Sequence, residues 1–143
     1  MRLFIRKQGR RKGQAYIEFI IVLPLFLVII AGVIGFGQLL YTRLAVEAAA
    51  WAGTRHAVAT LDEERGVSQA HLAVRYALDG FGLNPGSASV SVGYGGWGRG
   101  TDVATLVCYD VPSPPVPMGE IIAPQEICAW QIMPTERWQS RWE

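Results

Sequence analysis

The chain has 143 residues, half of them hydrophobic and 17% charged, with thirteen Lys and Arg against twelve Asp and Glu. That length holds one modest domain and excludes a large multi-domain enzyme. The composition is too apolar for a disordered protein and high for a soluble one, so it points to a membrane segment.

A net charge of +1 hides an uneven distribution. Arg2, Arg6, Lys7, Arg10, Arg11 and Lys12 put six positive charges into residues 1–13, where no acid stands. From Gln14 onward, seven basic residues face twelve acidic ones. Cations confined to one short arm disfavour a nucleic-acid partner.

Between Glu18 and Arg43 lie 24 residues, 19–42, without a charge. As a helix they extend roughly 36 Å, enough to cross a hydrocarbon core of about 30 Å with some tilt. The expected setting is the lipid bilayer, crossed once. The basic arm holds its end in the cytoplasm, which places the C-terminal part outside. Pro24 removes a backbone donor and is expected to kink the helix near its cytoplasmic end. Gly32, Gly35 and Gly37 would let neighbouring backbones approach, although glycine is common in membrane helices anyway.

Helical character continues beyond the run. Residues 39–60 contain seven alanines and no proline, a strong helix composition. Leu40, Leu44, Ala48 and Trp51 fall on one face. The first helix is therefore expected over residues 14–60, packed on its own domain or on copies of related helices.

Thr60 and Glu63 have capping-box spacing, with Asp62, Glu63 and Glu64 where a helix start favours acids. A second helix runs to about residue 78, with Val67, His71, Val74 and Leu78 on one face, and ends at Asp79-Gly80 and Gly82. Asn84-Pro85-Gly86 is a turn. Ala88, Val90, Val92 and Tyr94 alternate with small and polar residues as a half-buried strand. The glycine-rich residues 95–100 read as a flexible connection, with Trp97 either exposed for contact or tucked in as an anchor. Residues 101–111 form a second strand and 125–133 a third, separated by a proline-rich loop that cannot join a central strand. The expected fold is α+β: a long N-terminal transmembrane helix extending into a small periplasmic domain with a second helix and a three-stranded antiparallel sheet.

Cys108 and Cys128 fall in the last two strands. In an oxidising periplasm a disulfide between them is expected, with two buried free thiols as the alternative. Trp138 and Trp142 stand four residues apart near the C-terminus, suited to a membrane or partner contact or, as the safer reading, to packing on the sheet.

No catalytic constellation is evident. His56 and His71 lack metal-ligand spacing, and Ser68, Ser87, Ser89 and Ser91 lack a nucleophile-elbow context. The glycines from Gly93 to Gly100 do not lead into a P-loop lysine. Glu63 and Glu64 are helix-start charges, and neither a cofactor nor a metal is implied.

The junction at residues 10–24, RRKGQAYIEFIIVLP, is the most informative segment. Glu18 stands at the edge of the apolar run, where a carboxylate is costly unless it stays interfacial, is protonated or finds a cation. Cutting after Gly13 would make Glu18 the fifth residue and create a new α-amine on Gln14, a cation on the same chain or on a neighbour. Gly13 followed by a hydrophobic helix with Glu18 in fifth position resembles a type IV prepilin or pseudopilin cleavage site. More specifically, residues 10–58 resemble the TadE-like pseudopilins of Tad (tight adherence) pilus systems. The features carrying this are the Gly-x-x-x-x-Glu-Phe start, Leu23-Pro24, the small-residue cluster ending in Phe36-Gly37, Tyr41, and an alanine-rich segment running to Gly53-Thr54-Arg55.

The resemblance implies cleavage after Gly13 by a prepilin peptidase. It divides the chain into a leader (1–13), a transmembrane and extended helix (14–60) and an outer domain (61–143). It further implies a minor pilin or pseudopilin in the inner membrane or the pilus, acting in assembly, adhesion or secretion. Its partners would be other pilins, pseudopilins and the assembly platform, with Glu18, Pro24, Gly32, Gly35 and Gly37 in helix packing. The competing expectations are an unprocessed single-pass protein with a small interaction domain, and a domain released by signal peptidase.

Overall fold

The computed structural model describes residues 10–60, 62–98, 100–111 and 126–135, the first five of these by backbone alone. The proline-rich loop and the Trp138 and Trp142 pair lie outside the described residues. The fold is α+β: helix α1 (Arg10–Val58), helix α2 (Glu63–Gly80), a 3₁₀ turn (Pro85–Ser87), and strands β1 (Ala88–Tyr94), β2 (Asp102–Asp110) and β3 (Glu126–Pro134). The chain divides into two compact units, Met1–Gly37 and Gln38–Glu143.

In the first unit, α1 continues through Pro24 without interruption. The large apolar side chains from Tyr16 to Phe36 are exposed. α1 is long and apolar enough to cross a membrane. Such a surface suits lipid, since a helix apolar on every side has no face to offer water.

In the second unit, the strands form an antiparallel meander in the order β1-β2-β3. Val90 pairs with Val107, and Val107 with Ala129, across its middle. Alternation along β2 buries Val103, Thr105, Val107 and Tyr109 and turns Leu106 outward. This inner face meets Val46, Ala49 and Ala50 of α1 and Val74 and Leu78 of α2 in one core. A second cluster joins Ala57 and Val58 of α1, Ala70 of α2 and Val103.

Small residues let these layers close up. A Cβ on Gly53 would lie 2.7 Å from Val74 Cγ2 and 3.2 Å from Thr105 Cγ2. Thr54, fully buried beside it, donates its hydroxyl to Ala50 O at 2.8 Å and to Gln131 O at 3.3 Å, tying α1 to β3.

Two local expectations are corrected. The N-cap of α2 is Asp62, whose side chain accepts from Glu64 N; Thr60 instead donates to backbone oxygens of Ala57 and Asp62. Asp62 serves because its extended backbone and short carboxylate sit directly before the first helical turn. The buried face of α2 is Gly66, Ala70, Val74 and Leu78, with Val67 and His71 only half-buried at its edge. Close approach selects small residues at the first two positions, which a hydrophobicity pattern underweights. On α1, Leu40, Leu44 and Trp51 are exposed, while Thr42, Ala45, Val46, Ala49 and Ala50 are buried.

The end of α2 follows glycine's backbone freedom. Gly82 takes φ +71°, Leu83 N donates to Leu78 O and Gly82 N to Asp79 O, a Schellman arrangement that satisfies the last carbonyls.

Candidate functional site

The residues singled out for processing and assembly all lie on α1. Gly13 and Gln14 are helical in backbone. Glu18 is exposed one turn further on, Pro24 is inside the helix, and nothing lies within 4 Å of a Cβ built on Gly32, Gly35 or Gly37. These glycines thus leave open surface along the apolar part of α1.

Further along, in the second unit, Leu40, Leu44 and Trp51 form an outward apolar stripe, with the half-buried Ala48 between them. Arg43 and Glu47 flank it as an exposed pair at 3.0 Å. The Arg55 guanidinium lies 5.2 Å from the centroid of the Trp51 ring. Beside them opens a cleft of about 520 Å³, lined by Trp51, Arg55, His56, Val58, Ala59, Met133 and Pro134. Arg55 and His56 occupy the last turn of α1, where cations complement the helix dipole. That role accounts for Arg55 without a ligand.

Tyr41 donates its hydroxyl to Phe81 O at 2.9 Å, and the two rings meet edge to face with centroids 6.0 Å apart. It thereby joins α1 to the end of α2.

The glycine-rich connection is an organised corner. Trp97 is tucked in: its Nε1 donates to Thr60 O at 3.0 Å, and its ring lies over Gly66 and edge-on to Tyr94. Thr135, which sequence reasoning passed over, is almost fully buried. Its hydroxyl accepts from Gly100 N and Thr101 N and donates to Gly98 O, pinning the loop to the end of β3. No periodicity marks such a residue, because its partners are backbone groups far away in sequence.

The Tyr94 hydroxyl donates to the Glu63 carboxylate. That bond, followed by desolvation and the carboxylate's charge, raises the Tyr94 pKa above its ordinary value of 10.0. A folded-state pKa above the unfolded one contributes stability that is whole below about pH 10 and is lost as pH rises through the folded value. Denaturation midpoints measured from pH 9 to pH 11.5 should therefore fall less steeply for Tyr94→Phe than for the parent.

Cys108 and Cys128 are joined in a disulfide between directly paired residues of β2 and β3. Glu126 lies close to both sulfurs, but the disulfide leaves no thiolate for a metal. His56 is exposed and His71 half-buried, on different helices.

Among the described residues, one helix long and apolar enough to cross a membrane and an α+β unit define the class as that of proteins able to span a bilayer once. Residues 13–55 match the family model of TadE-like proteins, so the chain is similar to that family over this segment. The match covers under a third of the chain, all of it in α1. No curated protein and no solved structure gave a match.

Proposed function

We propose that the protein is a pseudopilin or minor pilin of a Tad-type pilus, made as a precursor and cut after Gly13 by a prepilin peptidase. The observation that carries this reading is the family match, which begins at Gly13 and runs to Arg55. The basic arm holds residues 1–13 in the cytoplasm, and the α+β unit lies outside the inner membrane. Cleavage removes all six arm charges, so the mature helix can leave the bilayer without drawing a polybasic anchor through hydrocarbon. The outward stripe of Leu40, Leu44 and Trp51 supports packing of α1 against other pilin helices. Glu18 sets axial register against a neighbour's N-terminal amine. The chain acts as substrate and building block, not as enzyme, and its partners are the peptidase, other pilins and the assembly platform.

The test is the N-terminal sequence of the membrane-extracted protein, with and without a prepilin peptidase. A peptidase-dependent start at Gln14 is expected. Starting at Met1 in both strains would reduce the protein to an unprocessed single-span anchor. Glu18→Ala should spare cleavage and insertion but impair assembly, and unchanged piliation would remove the register role.

A further inference from the structure

The end of the uncharged run meets a corner of the outer unit whose surface has no role in the preceding account. Tyr41 and Thr42 close the run of residues 19–42 and belong to the unit Gln38–Glu143. Residues 80–87, where α2 ends and the 3₁₀ turn follows, are tied to that level by Tyr41. Its hydroxyl donates to Phe81 O at 2.9 Å, and the two ring centroids are 6.0 Å apart. The headgroup layer of a bilayer is about 5–7 Å deep on each side of the hydrocarbon. Where Tyr41 lies in that layer, Phe81 lies in it too.

The corner has the surface that such a position needs. No charged residue stands between Asp79 and Arg99, so partial dehydration strands no ion. Tyr41 and Phe81 are exposed, and Tyr76, one turn before Gly80 on the same face of α2, is 75% exposed. Aromatic rings, tyrosine among the foremost, concentrate where hydrocarbon meets headgroups. The backbone is also closed on itself. Phe81 N donates to Ala77 O and Leu78 O, Gly82 N to Asp79 O, and Leu83 N to Leu78 O. Gly86 N and Ser87 N donate to Asn84, Pro85 has no N–H, and Phe81 O takes the Tyr41 hydroxyl. A segment entering a water-poor layer must satisfy its amides internally in this way. The nearest charges set the depth. Arg43 and Glu47, the first charges after the run, pair at 3.0 Å, and Asp79 is exposed directly before the corner. Its carboxylate holds the corner at the headgroups and out of the hydrocarbon.

We propose that residues 80–87 seat on the surface of the bilayer from which α1 emerges, with Tyr41, Tyr76 and Phe81 among the lipid headgroups. Lipid is the occupant because the corner is continuous with the apolar run. Leu40 and Tyr41, both exposed, belong to the last turn of that run. The inference rests on the proposed single crossing by α1, and its test reports on that crossing separately.

Three glycines carry the test, since nothing lies within 4 Å of a Cβ built on Gly32, Gly80 or Gly93. Gly32→Cys, Gly80→Cys and Gly93→Cys are made singly in the full-length protein, labelled with a small fluorophore and reconstituted into phosphatidylcholine–phosphatidylglycerol vesicles. The native cysteines are bonded to each other and do not compete for the label. Position 93 is the distant control. Gly93 pairs with Ala104, next to Val103, which packs with Ala57 and Val58, roughly 24 Å further along α1 than Tyr41. Lipids spin-labelled deep in the acyl chain should quench position 32. Lipids spin-labelled at the headgroup should quench position 80 at least threefold more strongly than position 93. Deep quenching at 32 without headgroup quenching at 80 would overturn the proposal and leave the crossing standing. Absence of deep quenching at 32 would remove the crossing and the proposal with it. Equal headgroup quenching at 80 and 93 would mean that the outer unit lies on the membrane with no preferred corner, which also overturns the seat.

Discussion

Gly66→Ala should destabilise the outer unit by about 1–3 kcal/mol, the usual range for overpacking a well-filled site. Glycine to alanine inside a helix ordinarily gains about 1 kcal/mol, so the sign depends on what the new methyl meets. Here it would lie 2.1 Å from Trp97 Cζ2, 2.7 Å from Cη2 and 2.9 Å from Thr60 Oγ1. The ring cannot slide away without breaking its 3.0 Å hydrogen bond to Thr60 O and its edge contact with Tyr94. Loss of one such bond costs about 1 kcal/mol, which reinforces the steric penalty. A double-mutant cycle separates the contributions. In a Trp97→Ala background, Gly66→Ala should become neutral or stabilising. Gly80→Ala, with nothing within 4 Å of its Cβ, serves as the open-space control. Chemical denaturation of the four proteins checks the cycle, and equal effects of Gly66→Ala in both backgrounds would mean that Trp97 is not what Gly66 accommodates.

The second large effect belongs to the disulfide. Cys108→Ser with Cys128→Ser should lower stability by about 2–3 kcal/mol. A sequence separation of 20 between the bonded cysteines corresponds to about 3 kcal/mol in the chain-entropy description. Five prolines within that loop already narrow the unfolded ensemble, which pulls the expected loss below the ideal figure. The bond also fastens β3, an edge strand held on one side by β2 alone. Comparing denaturation midpoints of the parent, the parent under reductant and the double variant provides the check. Coincidence of the last two, both below the first, is expected. A midpoint unmoved by reduction would assign β3's stability to its packing through Ala129 and Thr135.

Much of this architecture was readable before any tertiary information, and the readable parts share a cause. The apolar run of residues 19–42 needs only length and hydrophobicity to be recognised, and α1 contains it whole. Strand β1 shows its alternation in every residue and appears at Ala88–Tyr94 as expected. The cysteines were informative because two thiols on two short strands have few options, and they are bonded. The family signature was also local, since it lies along one helix.

Sequence periodicity put apolar residues on a common helix face without deciding which face turns inward. Leu40, Leu44 and Trp51 are the large apolar residues of their segment, yet α1 buries Thr42, Ala45, Val46, Ala49 and Ala50 instead. In the same way α2 turns Gly66 and Ala70 inward and leaves Leu72 and Tyr76 exposed. The reason is packing distance. Where two helices and a sheet close to within a methyl group of one another at Gly53, small side chains fill the space, and large ones are displaced to faces available for other partners. Local sequence thus set the elements, their order and the helix long and apolar enough to cross a membrane, because each depends on neighbours along the chain. The inward faces, the seat of Trp97 on Gly66 and the anchoring of the glycine loop by Thr135 came from contacts between residues distant in sequence, whose volumes and backbone partners exist only once the layers have met.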